Sequence, residues 1–135
     1  MAWNRRLWMT LAVLSGFLSV AMGAFAAHGL TDPAAKEWMH TGASYQFMHA
    51  MATLACATFI QVGASRARHA PAFFLSGIVF FSGSLYAMAL GAPRWLGAIT
   101  PIGGALFLIG WAVLAWSARG IDPAPGQGQE LKGER

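Results

Sequence analysis

Charge is what this sequence has least of. Only 10% of its 135 residues are Asp, Glu, Lys or Arg, against 56% hydrophobic. Soluble domains carry about 25% charged residues, so this chain cannot cover a water-facing surface. It has one cysteine, Cys56, which excludes an internal disulfide. Cys56 lies inside an apolar run, where a thiol behaves as a small, inert apolar group. There is no HxxxH pair, no cysteine cluster and no carboxylate within an apolar run, so the common metal and haem ligand sets are missing. No serine sits in a nucleophile elbow and no acid is placed to orient a histidine.

What is present is apolar length. Four runs, 7–27, 43–63, 71–91 and 96–116, contain no Asp, Glu, Lys or Arg. Each has about 21 residues and, as a helix, spans about 31 Å, the thickness of a bilayer core. Backbone groups in lipid must satisfy one another, so each run is read as a helix. The expected fold is all-α: an integral membrane bundle of four helices with short loops over residues 1–119. Residues 120–135, rich in Gly, Pro and Gln, are expected to be a disordered tail.

The net charge is +4 and the pI about 10.0. In a soluble protein that balance would suggest nucleic acid. Here the basic residues flank the runs, and no nucleic-acid partner is expected. Arg5, Arg6, Arg66, Arg68, Arg119, Lys132 and Arg135 fall on one side of a four-span arrangement, Lys36 and Arg94 on the other. The positive-inside rule then puts both termini in the cytoplasm. Arg5-Arg6, an apolar run and Ala24-Phe25-Ala26 imitate a cleaved secretory signal. The run is longer than the 7–15 residues usual for a signal core, so a retained first span is expected.

Small residues mark the expected helix contacts. Gly16, Ser19 and Gly23 form a stripe in span one, Gly83, Ala87 and Gly91 a ladder in span three, and Gly103 and Gly104 a pair in span four. Asp32 before Pro33 predicts a helix start, with that helix either running into span two or breaking at Gly42. Pro101 either kinks span four or starts it.

Polar residues within the runs or at their ends gather toward one side. His28, Tyr45, Gln46, His49, Ser82, Ser84, Tyr86 and Thr100 all fall in the expected outer half. Polar groups at that depth need partners. They form either a hydrogen-bonded knot that fixes helix register or a binding site open to the outside. His40 and His49 are nine residues apart and out of phase on an unbroken helix, so no metal site and no cofactor is expected.

Five motifs in order, Gly23-Ala-Phe-Ala-Ala-His-Gly-Leu30, Tyr45-Gln-Phe-Met-His-Ala50, Phe81-Ser-Gly-Ser-Leu-Tyr86, Ile99-Thr-Pro-Ile-Gly-Gly104 and Gly110-Trp111, resemble the YgdD-like family of small membrane proteins. That family is catalogued as domain of unknown function 423. The resemblance covers about residues 7–116 and implies a four-helix protein of the bacterial inner membrane. It brings no activity and no catalytic residue. The family pattern has Gly where this chain has Ala26, which predicts altered packing there. The expected role is non-enzymatic: packing against lipid, a membrane-protein partner or a second copy. The alternative is a small transporter or ligand-binding protein using the outer polar residues.

Overall fold

A computed structural model describes residues 4–122. They form four helices: α1 (Arg5–His28), α2 (Pro33–Gln61), α3 (Ala70–Ala89) and α4 (Thr100–Ser117). Short 3-10 turns, Ser65–His69 and Arg94–Ala98, precede α3 and α4. The α1–α2 and α3–α4 links lie at one end, here the link end. The described termini and the α2–α3 link lie at the other, the terminal end. Three helical segments are long and apolar enough to cross a membrane: Arg5–His28, Ser65–Ala89 and Arg94–Gly120. α2 is longer than any of the other helices, at 29 residues, but Gln46, His49 and other polar residues within it lower its hydropathy.

Local chemistry sets the helix ends. The Asn4 side chain caps α1 by accepting from the Leu7 N–H at 3.1 Å. Asp32 caps α2 by accepting from the Ala35 N–H at 2.8 Å, with Pro33 in the first turn. α2 then runs unbroken through Gly42, so the surface segment and span two are one helix. Pro101 lies in the first turn of α4 and starts the helix rather than kinking it. α2 and α3 stop alike, each at a glycine with positive φ: Gly63 at +96° and Gly91 at +100°. Beyond these glycines, Ala64 N–H donates to Phe59 O and Ala92 N–H to Ala87 O, both at 2.9 Å. This pattern satisfies carbonyls that the helix end leaves free.

Each helix packs mainly on its neighbours in sequence, and α2 only grazes α4. One apolar core joins α2, α3 and α4 around Cys56, Phe74, Ile78, Phe107 and Leu114. A second, at the link end, joins Ala26, Ala35, Met39 and Ala89 of α1, α2 and α3. Ala26, where the family pattern has Gly, is buried in that second core.

The α3–α4 seam interlocks. Phe74 meets Gly110, Gly77 meets Phe107, Phe81 meets Gly103, and Ser84 meets Thr100. Steps of three, four and three residues along both helices put these pairs on facing stripes of an antiparallel pair. A Cβ at Gly103 would lie 2.6 Å from the Phe81 Cβ, and one at Gly110 2.6 Å from the Phe74 ring.

The expected packing residues divide. Gly16 and Ser19 are buried on α1, Gly103 is buried on α4, and Gly23, Ala87 and Gly104 are partly buried. Gly83 is exposed, and a Cβ there would meet nothing within 4 Å. Gly91 is exposed and ends α3. Neither contributes to a seam. Of the expected tail, residues 120–122 are described, and there Asp122 N–H donates to Val62 O at 2.8 Å. The remainder of that expected tail, 123–135, lies outside the described residues.

Candidate functional site

α2 carries the polar side chains that tie the helices together. Gln46 faces both α1 and α3. Its amide nitrogen donates to Ser15 O and to Ser15 Oγ, each at 3.1 Å. Its amide oxygen accepts from the Tyr86 hydroxyl at 2.5 Å. One side chain thus joins three helices. A helical turn earlier, Ser82 Oγ donates to Gly42 O at 2.7 Å. A Cβ at Gly42 would come within 2.8 Å of the Tyr86 ring, so glycine there lets α3 approach. Between α3 and α4, the Ser84 and Thr100 hydroxyls are 2.7 Å apart.

His49 belongs to a separate, aromatic site. Its ring stacks on Phe107 at 3.5 Å between centroids, with 7° between planes. Trp111 Nε1–H donates to His49 Nε2 at 3.1 Å. An indole N–H can only donate, so Nε2 is the acceptor and the proton sits on Nδ1. His49 Nδ1–H then donates to Tyr45 O at 2.7 Å. Both ring nitrogens are occupied, and His49 is held as one neutral tautomer. The ring is 5% exposed and sits at mid-depth, level with the Gly77–Phe107 pair.

The eight residues expected to gather in one outer cluster therefore sort into groups. Gln46 and Tyr86 form one knot, Ser82 a bond to Gly42, Ser84 and Thr100 another pair, and His49 its own pair with Trp111. Tyr45 packs its ring on Phe81 at 4.5 Å, and its side chain is 39% exposed. His28 is exposed at the end of α1 and joins none of them. Ser15 and Trp111 were not among the expected site residues, although Ser15 adjoins Gly16 of the small stripe and Trp111 lies in the last family motif. Phe107 carries no signal in the sequence beyond being apolar.

Elsewhere polar side chains bond within their own helix. Thr53 donates to His49 O, Ser19 to Gly16 O and Ser117 to Leu114 O. No group of three His, Cys, Asp or Glu side chains converges among the described residues. Beside His49 a cavity of about 680 Å³ opens between α2 and α4, lined by Tyr45, Met48, Pro101, Leu108 and Trp111. Two further hollows, of about 430 and 440 Å³, lie along the α1–α2 seam.

The family model described as a protein of unknown function (DUF423) matches residues 22–104. A UPF0382 membrane protein of Haemophilus influenzae is 48% identical over 114 residues, covering 82% of this chain and 92% of that protein. A UPF0382 membrane protein of Staphylococcus epidermidis is 41% identical over 112 residues, covering 81% and 92%. The UPF0382 inner membrane protein YgdD of Escherichia coli K12 is 42% identical over 113 residues, covering 81% and 86%. No solved structure matches the chain.

Proposed function

The chain belongs to the DUF423 family, and from that premise we propose a non-enzymatic accessory protein of the bacterial inner membrane, acting by packing against lipid or a membrane partner. One observation carries this reading. All seven buried polar side chains among the described residues, Ser19, Gln46, His49, Thr53, Ser82, Ser84 and Ser117, have a hydrogen-bond partner within the protein. A catalytic or transport site needs polar groups free to meet a substrate, and here they serve as joints between or within helices. The location rests on the relative named as an inner membrane protein. Cytoplasmic termini are supported by charge. Arg5, Arg6, Arg66, Arg68 and Arg119 lie at the terminal end, against Lys36 and Arg94 at the link end.

The second reading, a small transporter or ligand-binding protein, is favoured by the cavity beside His49. Against it, both His49 nitrogens are already engaged. The test replaces the pair by apolar rings, His49→Phe with Trp111→Phe. A deletion strain complemented with this double variant is expected to keep wild-type abundance and any growth or envelope phenotype. Loss of the phenotype at unchanged abundance would overturn the structural role and favour the second reading.

A further inference from the structure

The two hollows on the α1–α2 seam adjoin at His40 and follow one another along the seam, so that together they can serve as one groove. At its mouth stand Lys36, Glu37 and His40. Its walls are small, Ala27 and Gly23 on α1 and Ala43 on α2, and it ends at Phe47 and Met48. From Lys36 to Met48 is twelve residues of one helix, about 18 Å. That is a little over half of a hydrocarbon core about 30 Å thick, the depth of one leaflet. The mouth lies at the level where α1 and α3 end, since Ala26 and Ala89 pack with Ala35 and Met39.

We propose that this groove holds one phospholipid with a primary-amine headgroup, its acyl chain along Gly23 and Ala43 and its headgroup between Lys36 and Glu37. The proposal rests on the packing role and names the lipid it involves. Charge argues for the headgroup. The mouth presents a cation and an anion at adjacent positions, and neighbours at i, i+1 do not face each other on a helix. Among the described residues no hydrogen bond engages either side chain; Asp32, the nearest other acid in sequence, caps α2 instead. Lys36 and His40 suit the phosphate, and Glu37 accepts from a primary ammonium. An anionic headgroup would pair its phosphate alike but bring no ammonium to Glu37. Length and polarity argue against a partner helix, which would follow the whole span and leave the charged mouth uncovered.

The test is native mass spectrometry of the full chain released from nanodiscs of equimolar phosphatidylethanolamine and phosphatidylglycerol. One retained phosphatidylethanolamine per chain is expected. Lys36→Gln and Glu37→Gln should each weaken retention about tenfold, the loss of one charge-assisted hydrogen bond. Ser44→Phe fills the groove from an exposed position with no side-chain hydrogen bond to lose, and should release the lipid at an unchanged melting temperature. Gly23→Leu, whose Cβ would lie 3.9 Å from the Ala43 Cβ, fills it from the other wall. Equal retention of the two lipids would overturn the site, as would a Ser44→Phe protein that binds as much lipid as wild type. A lipid-free dimer would overturn it too while leaving the packing role standing. Failure of that role is read separately, from the phenotype of the His49/Trp111 double variant.

Discussion

The two outer helices, α1 and α4, are attached by opposite means. α4 is keyed into α3, with Phe74 against Gly110, Phe107 against Gly77 and Phe81 against Gly103. α1 touches α2 through small side chains, Ala12, Gly16, Ser19 and Ala26, and through the Gln46 amide on Ser15. The keyed seam encloses aromatic rings that contribute packing and need no polar tie except Ser84 to Thr100. The small-residue seam brings backbones together but leaves space beside them, and that space is the groove. Lipid supplies no hydrophobic drive for helices to associate, so shape and hydrogen bonds must hold each seam. Between α3 and α4 the rings fill the seam itself, and the cavity beside His49 opens on its α2 side; between α1 and α2 the hollows lie along the seam.

The largest expected effect comes from breaking the key. Gly103→Leu drives a side chain into the Phe81 backbone and should cost about 3 kcal/mol, the upper range for overpacking. It is checked by thermal unfolding in detergent and by abundance in the membrane. Next comes the amide. Gln46→Leu removes the ties to Ser15 and Tyr86 and should cost about 1–2 kcal/mol. A spin-label distance between α1 and α2 is expected to broaden while one between α3 and α4 does not. The smallest effect has the opposite sign. Gly83→Ala puts a methyl into open space and should stabilise α3 by about 0.5–1 kcal/mol, the helix penalty of glycine. A loss of stability there would show that Gly83 packs against another chain.

The helices were legible because bilayer thickness imposes a length that composition reveals directly. Their starts were legible where chemistry is local: Asp32 before Pro33 caps α2 as the dipeptide predicts. The seams were harder. Small residues recur on several faces of α3, and Gly83, Ala87 and Gly91 form a regular ladder away from the face that is used. The packed stripe is Phe74, Gly77, Phe81 and Ser84, and it becomes visible only once α4 is set beside it in register. Gly91 had the right spacing for contact but serves the turn, which needs its positive φ. For the polar residues, the sequence supported their depth and the need for partners. It could not pair Gln46 with Ser15, or His49 with Trp111, because those bonds depend on helix rotation. His49 also lies deeper than an outer cluster requires, at the level of Phe107.

The native cysteine offers the most direct measurement. Cys56 is fully buried in the α2–α3–α4 core, a cluster that includes no α1 residue. Its alkylation rate by a membrane-permeant maleimide, in wild type, Gln46→Leu and Gly103→Leu, reads the two seams independently. Fast labelling is expected in Gly103→Leu and wild-type protection in Gln46→Leu, with α1 loosened over an intact core. Equal exposure of Cys56 in both variants would mean that the bundle opens as one unit, and would contradict the division into a keyed seam and a small-residue seam.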